Sequence, residues 1–205
     1  MKILNILALS TICILMVSFT PNTTLKGPKL KKVFNGKDLT GWNVEPGDKD
    51  NIWWTANKGV LSVKSGPNKT GSILWTDKSY KNFIIQADFK FGTGTIDSGI
   101  FMRSDHDQIQ IGESGSLKRD MTCSPYIPGK GYPSEAKNIK QLLKLDDWNT
   151  IKIKAEGSVY TMWLNGEEVL TYDSDTAIEE GPIGIQLHPG RDMTIAYKNI
   201  LIAEI

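Results

Sequence analysis

Polar side chains that can move protons or donate hydrogen bonds alternate with apolar ones along several short segments. In residues 182–188, three aliphatic side chains alternate with Gln186 and His188. Successive side chains of a strand point to opposite faces, so these two polar residues are predicted to lie away from the core. His188 is the best single candidate for acid–base chemistry because an imidazole titrates near neutral pH. A strand-end histidine that only hydrogen-bonds the following turn is the alternative.

Three further segments show the same arrangement. Gln110 stands between two isoleucines, and Asp88 alternates with the alanine and phenylalanines of 83–91. Arg103 closes the segment 98–103 and is also assigned to a non-core face. We therefore predict one concave, polar sheet face that gathers Asp88, Arg103, Gln110, Gln186 and His188. An ordinary solvated face of a β-sandwich is the alternative.

The motifs of several common enzyme classes are absent from the sequence. It has no Gly-x-Ser-x-Gly, no glycine-rich phosphate loop and no strand with two or three alternating carboxylates. Ordinary two-carboxylate glycoside hydrolysis is therefore disfavoured. The two histidines have no Cys or Glu at metal-ligand spacing, so we expect no zinc site. No cofactor is predicted, and a divalent metal is left open.

The elements that must position these residues are short strands. Period-two alternation is clearest in residues 82–91, 107–112 and 182–188, and no dozen residues show a sustained helical stripe. About eleven strands, with an Asn165-Gly166 hairpin signal, predict an all-β fold of two packed antiparallel sheets. Its predicted core includes Ile85, Ala87, Phe89, Ile109, Ile111, Ile153, Ile183, Ile185 and Leu187.

The segment 114–147 is the long stretch without a strand pattern. It contains Cys123, Tyr126 and Tyr132 with three prolines, which is too apolar and aromatic for a linker. Loops of this length are usually functional or disordered, and we expect this one to fold over one end or face of a sheet. A helical turn or two is expected in 134–145. Cys123 is expected to be buried and inert.

The six tryptophans offer another type of ligand contact. Indole rings can stack on sugar rings, but most of these tryptophans flank apolar alternation. We therefore expect most of them to anchor the core instead. The set comprises Trp42, Trp53, Trp54, Trp75, Trp148 and Trp163.

The net charge of the chain and its N-terminal segment indicate which partners the protein can bind and where in or outside the cell it acts. The chain has 205 residues and a net charge of +1, which argues against a nucleic-acid or anionic-membrane partner. Lys2 precedes an apolar run over 3–17, which is shorter than the roughly 20 residues of a membrane span. We predict a signal peptide and cleavage region in 1–24, a single domain in 25–205, and a secreted or periplasmic protein without a membrane span. A membrane anchor is the alternative.

Seven segments follow one another in a specific order along residues 31–205. They are KVFNGKDLTGWNV (32–44), DSGIFMR (97–103), IQI (109–111), DDWNTIKIKAEG (146–157), LNGEEV (164–169), GPIGIQLH (181–188) and KNILIAEI (198–205). The order is more specific than any one segment. Together the segments resemble the 3-keto-disaccharide hydrolase family of secreted bacterial proteins.

This resemblance implies a concanavalin A-like jelly-roll sandwich and a carbohydrate ligand, here glycosides oxidised at C3. A ketone at C3 acidifies the proton on C2, so a base can remove it while the anomeric oxygen leaves, and hydration follows. The reaction needs a base, donors that stabilise the enolate, and an acid at the leaving oxygen. We assign proton transfer to His188 or Asp88, and hydrogen-bond donation to Arg103, Gln110 and Gln186.

One position departs from the family pattern. Members often carry Tyr-Glu-x-Gln-Ile, and here Asp107 and Gln108 stand at the first two places. Glu113, at the following turn, is a candidate to compensate for the missing carboxylate. The departure favours a changed substrate or a non-catalytic carbohydrate-binding module. The sequence therefore leaves three hypotheses: a 3-keto-glycoside-cleaving enzyme, a lectin-like module and a conventional glycoside hydrolase.

Overall fold

Two antiparallel β-sheets pack against each other in the computed structural model, which describes residues 27–47 and 52–205. The predicted all-β, jelly-roll architecture is confirmed. The strands are β1 (Lys31–Lys32), β2 (Trp42–Glu45), β3 (Trp54–Asn57), β4 (Val60–Lys64), β5 (Ser72–Tyr80), β6 (Phe83–Gly94), β7 (Asp97–Met102), β8 (Gln108–Gly112), β9 (Pro125–Tyr126), β10 (Asn149–Glu156), β11 (Val159–Leu164), β12 (Glu167–Asp173), β13 (Gly181–Leu187) and β14 (Met193–Glu204). The described residues form more strands than the roughly eleven predicted, and two of them, β1 and β9, have only 2 residues each.

The strands divide into a larger and a smaller sheet. The larger sheet has the order β12-β11-β10-β6-β14-β4-β3, and β1 pairs with β14. The smaller sheet has the order β2-β5-β13-β7-β8-β9. The strands that carry the predicted site residues therefore do not all lie in one sheet. Strand β6 lies in the larger sheet, whereas β7, β8 and β13 lie together in the smaller one.

The core lies between the two sheets and is made by the inward-facing residues of each strand. All nine predicted core residues are buried, as the period-two alternation required. The Tyr197 hydroxyl and Ser98 Oγ lie 2.8 Å apart, which joins β14 of one sheet to β7 of the other across this core.

The tryptophans do not follow the expectation that most are core anchors. Trp42 and Trp54 are buried, whereas the other four are half-buried. Trp163 and Trp148 each lie beneath a lysine ammonium, that of Lys152 and that of Lys198, at 4.0 Å from the ring centroid. The alternation around these residues is real, but it places their rings on outer sheet faces.

The long segment 114–147 folds back along the free edge of β8. The Gln110 N–H donates to the Ser124 carbonyl at 2.9 Å, the Gln110 carbonyl accepts from the Cys123 N–H at 2.8 Å, and β9 pairs with β8. The segment also contains a short helix, α1 (Ile139–Leu142), within the predicted range. Cys123 is a buried free thiol, and burial raises its pKa, which agrees with an inert role.

The predicted signal peptide, residues 1–24, lies outside the described part of the chain. Among the helices formed by residues 27–47 and 52–205, none has the length and hydropathy needed to cross a membrane.

Candidate functional site

A cavity of about 460 Å³ opens on the smaller sheet, on the face turned away from the core. The floor of the cavity is formed by Gln186 in β13 and by Gln108 and Gln110 in β8. These side chains alternate with buried isoleucines, so they point to the outer face of the sheet. The turn after β13 adds His188 and Arg191. The cavity is thus built where the ends of neighbouring strands meet the long 114–147 segment.

A chain of side-chain amides crosses the floor of this cavity. Gln108 Nε2 donates to Gln186 Oε1 at 2.9 Å and lies 3.2 Å from Gln110 Oε1. Gln110 Nε2 donates in turn to Asp97 Oδ1 at 2.9 Å. Gln108 and Gln110 are almost fully buried, so these bonds fix both amides. Glycine at 99 makes the arrangement possible, because a Cβ there would lie 2.1 Å from Gln108 Nε2.

Asp97 ends the amide chain as a buried carboxylate with 2% exposure. Its Oδ1 accepts from Gln110, and its Oδ2 accepts from Arg191 Nε at 3.1 Å. His188 Nδ1 lies 3.8 Å from the same Oδ2, beyond hydrogen-bond distance. With both oxygens already accepting hydrogen bonds, Asp97 suits a positioning role between the amides, Arg191 and the imidazole.

The imidazole of His188 is half-exposed at the cavity, and one of its nitrogens has a defined partner. Nδ1 lies 2.7 Å from the carbonyl oxygen of Pro189. A carbonyl oxygen can only accept, so this contact assigns the proton to Nδ1. In the neutral ring the lone pair is then on Nε2, which is the form that can accept a proton from a ligand.

Two tyrosines from the 114–147 segment form the opposite wall. The rings of Tyr126 and Tyr132 pack with centroids 5.3 Å apart and planes inclined at 57°. Burial raises the pKa of Tyr132 to about 12, so its hydroxyl stays protonated at neutral pH and can donate. Lys118 adds a positive charge to the same lining. The prediction that this segment covers part of the sheet face is confirmed.

Of the side chains predicted to converge, Gln110, Gln186 and His188 do so, and Asp88 does not. Asp88 lies in β6 of the larger sheet, where its oxygens accept hydrogen bonds at 2.7 Å from Thr150 Oγ1 and from Asn199 Nδ2. The predicted parity was right, but an outward residue of one sheet and an outward residue of the other lie on opposite sides of the sandwich. Asp88 is therefore not part of this site.

Arg103 is also absent from the cavity, because its guanidinium lies inside the protein at 1% exposure. Its Nε donates to the carbonyl of Lys81 at 2.7 Å, and Nη1 lies within 3.1 Å of the carbonyls of Gly157 and Ile178. Strand β7 ends at Met102, and Arg103 adopts a left-handed φ of 67°. Alternation no longer applies there, which is why the parity argument placed this side chain wrongly.

Glu113 touches the site through its backbone only. Its carbonyl accepts from Gln110 Nε2 at 3.2 Å, and its backbone amide donates to Ile96. The side chain is not part of the cavity lining, so the proposed compensation for the carboxylate missing at Gln108 has no support in the geometry.

Several residues of the cavity were not predicted. Asp97 could have been found, because it opens the DSG segment with the same outward parity as Gln110 in the neighbouring strand. Arg191, Lys118 and the two tyrosines lie in loops, where no periodicity indicates direction. In residues 27–47 and 52–205 no group of three or more His, Cys, Asp or Glu side chains could hold a metal ion.

Comparison with known proteins places this sandwich in a family. A family model described as a 3-keto-alpha-glucoside-1,2-lyase-like domain matches residues 29–203. The chain belongs to this family. The match confirms the resemblance found in the seven sequence segments and spans both sheets of this lyase-like domain. No curated protein sequence matches the chain significantly.

Solved structures share the fold of this lyase-like domain. A Parabacteroides distasonis protein, provisionally described as a glycosyl hydrolase, is 23% identical with a TM-score of 0.65, over 86% of this chain and 100% of that chain. The carbohydrate binding module CBM66 from Bacillus subtilis is 16% identical with a TM-score of 0.52, over 80% and 96%. A Bacillus subtilis protein with a galectin-like fold is 12% identical with a TM-score of 0.58, over 81% and 90%. At these identities the likeness concerns the fold alone.

Proposed function

We propose that this protein cleaves 3-keto-glycosides by elimination in the cavity on the smaller sheet, with His188 as the base. The observation that carries the proposal is the imidazole itself. Its Nδ1 is held by the Pro189 carbonyl, so Nε2 can take a proton beside a fixed set of hydrogen-bond donors. The family match, with its lyase-like description, supports the same reaction class.

The reaction follows from the ketone. Nε2 of His188 takes the proton from C2, the C–H electron pair forms a double bond between C1 and C2, and the bond from C1 to the glycosidic oxygen breaks. The departing oxygen takes a proton and leaves as the hydroxyl of the second sugar or other alcohol. Addition of water to the resulting unsaturated 3-keto sugar gives the free 3-keto sugar.

Negative charge develops on the C3 oxygen as the C2 proton leaves, and the cavity contains groups suited to it. Gln186 uses its amide oxygen toward Gln108, which leaves its amide N–H groups as donors. Arg191 contacts Asp97 through Nε, and its guanidinium has further N–H groups. The Tyr132 hydroxyl, protonated at neutral pH, can donate to the departing oxygen. Fixed donors of this kind stabilise charge most effectively in a partly dry site.

A second candidate function is non-catalytic carbohydrate binding, and Gln108 favours it. An amide occupies the position where family members often carry a carboxylate, and its nitrogen faces acceptors on Ser98, Gln110 and Gln186. The fold also hosts a carbohydrate binding module among the similar structures. In either case the ligand is a carbohydrate. We also propose that residues 1–24 direct export, which the intact mass of the protein recovered from its native host would test.

Incubation with 3-keto-disaccharides and with their unoxidised parents, followed by analysis of released sugars, separates these functions. Release from keto substrates alone supports the proposed elimination. Tight binding without release supports a binding module. Release from unoxidised substrates at the same rate would contradict the requirement for a ketone and indicate a conventional glycoside hydrolase.

Substitution of the base provides the sharper test. His188→Ala is expected to lower the rate of release by about 10²–10⁴-fold, the usual contribution of general acid–base catalysis, with little change in thermal stability. His106→Ala is the matched control, because His106 is an exposed histidine outside the cavity. Equal rates for both variants would exclude His188 as the base.

A further inference from the structure

Trp75 lies across the centre of the same outer sheet face, outside the cavity just described. Its register partners are Asn43 on β2 and Gly184 on β13. A Cβ at Gly184 would lie 2.6 Å from Cζ3 of Trp75, so the indole is seated directly over the glycine backbone. The ring also packs against Phe101, with centroids 5.6 Å apart and planes inclined at 32°. These contacts hold a half-buried indole in place on the sheet.

A second cavity, of about 740 Å³, opens beside this indole. It lies beside the first on the same sheet face, since Ile73 of the second cavity is the register partner of Gln186 of the first on the neighbouring strand. Phe101, which supports the indole, pairs with Gln108 on its other side. Neighbouring strands lie about 4.8 Å apart, so ligand groups in the two cavities can belong to one molecule.

The two cavities differ in charge. Glu45, Asp77 and Asp105 line the second cavity, and no described residue of its lining is basic. The first cavity contains Lys118 and Arg191 instead. Exposed carboxylates accept hydrogen bonds from sugar hydroxyls, and they repel a ligand that carries a carboxylate or a sulfate.

We propose that Trp75 is the platform of a second sugar subsite, which binds a neutral pyranose ring linked to the ring that reacts in the first cavity. The C–H groups on one face of a pyranose pack on the electron-rich face of an indole, while the ring hydroxyls reach Asn43, Glu45 and Asp77. The ring at Trp75 is then the departing sugar. The assignment of a reacting and a departing ring rests on the proposed function, but the subsite itself can be tested by binding.

Titration calorimetry with maltose, cellobiose, trehalose and methyl glucoside tests the subsite on the intact protein. We expect at least one of these neutral disaccharides to bind more tightly than the one-ring methyl glucoside. Trp75→Ala should weaken that disaccharide by about tenfold and leave methyl glucoside nearly unchanged. Trp163→Ala is the control, because Trp163 is a half-buried tryptophan of the other sheet. The subsite would be overturned if none of the three disaccharides binds better than methyl glucoside, or if the disaccharide that binds best is unaffected by Trp75→Ala.

Gly184→Ala gives an independent variant, because its methyl group must lift the indole from the sheet. It should reproduce the Trp75→Ala loss for the disaccharide while leaving the tryptophan present. Circular dichroism confirms that each variant is folded. Cellobiouronic acid tests the charge argument: it should bind more weakly than cellobiose, and equal binding would contradict a neutral ligand.

The keto substrates separate this inference from the proposed function. A wild-type protein that cleaves neither 3-keto-disaccharides nor methyl 3-keto-glucoside, but binds disaccharides through Trp75, would overturn the cleavage reaction and support the subsite. Cleavage of both substrates, with kcat/KM for the disaccharide unchanged by Trp75→Ala, would support the reaction and overturn the subsite. An effect of Trp75→Ala on the disaccharide alone supports both.

Discussion

At the scale of single residues, similar side chains have opposite roles because of their surroundings. Arg191 faces a cavity and pairs with a buried carboxylate, whereas Arg103 is enclosed and binds backbone carbonyls. Gln108 is fixed by three acceptors, and Gln186 keeps its amide nitrogen for a ligand. A residue type therefore identifies possible chemistry, and only its partners decide whether that chemistry is available.

Arg103 is expected to contribute to stability rather than to activity. Arg103→Ala leaves the carbonyls of Lys81, Gly157 and Ile178 without their donor inside the protein. Loss of a buried, charged hydrogen-bonding group should lower the free energy of unfolding by about 3–5 kcal/mol, measured by urea denaturation. Arg119→Ala is the control, because its pair with Glu135 is exposed to solvent and should contribute little to stability. Equal losses for the two variants would contradict a structural role for Arg103.

At the scale of elements, the smaller sheet builds the site because its central strands carry glycines. Gly99 leaves room for the Gln108 amide, and Gly184 leaves room for the Trp75 indole. In both cases a neighbouring side chain lies along the sheet surface instead of standing away from it. Strands β7 and β13 thus form a flat floor on which polar and aromatic groups are held.

Gly99→Ala tests this role of glycine. The added methyl group would lie 2.1 Å from Gln108 Nε2, so the amide must leave its contacts with Gln110 and Gln186. We expect release of sugar from 3-keto-disaccharides, or sugar binding if there is no turnover, to fall by about tenfold or more, the effect of displaced polar groups in a site. Gly47→Ala, whose methyl group would lie 3.6 Å from the Val44 carbonyl, should change neither. Unchanged function in Gly99→Ala would show that the amide chain is dispensable.

At the scale of the whole molecule, the core contains tyrosine hydroxyls that make the stability of the fold depend on pH. Tyr160 and Tyr197 are fully buried, and burial raises the pKa of both hydroxyls. Tyr160 donates to Asp107 at 2.8 Å, and Tyr197 contacts Ser98 at 2.8 Å. The folded protein therefore keeps these protons at pH values where the unfolded chain has released them.

This difference predicts a loss of stability at high pH. Tyrosine in the unfolded chain titrates near about 10, so the contribution of each buried hydroxyl is fully present below that pH. As pH rises further toward the folded-state pKa, stability should fall by about 1.4 kcal/mol per pH unit for each such group. Urea denaturation between pH 8 and pH 11 measures how the free energy of unfolding changes with pH. Tyr197→Phe should remove the contribution of one tyrosine and so make this slope shallower. An unchanged slope in that variant would exclude Tyr197 from the effect.

The sequence by itself determined the strands, their parity and the core. Alternation is a local property, so it identified Ile109, Ile185 and their equivalents as buried, and it placed Gln110 and Gln186 on the opposite face. The segments that carry the family resemblance are also local, and the family match confirmed them. Most of the fold and part of the site could therefore be predicted.

Only the tertiary structure decided which outward faces coincide. Asp88 and Gln110 have the same outward parity, but β6 and β8 belong to different sheets, and sheet membership depends on long-range pairing that parity does not contain. The Arg103 side chain lies inside the protein because its backbone has a left-handed φ and is not part of a strand. Trp75 contacts Gly184 because β5 and β13, which are distant in sequence, pair there. Alternation gives each side chain a direction within its own strand, whereas a site requires the positions of several strands relative to one another.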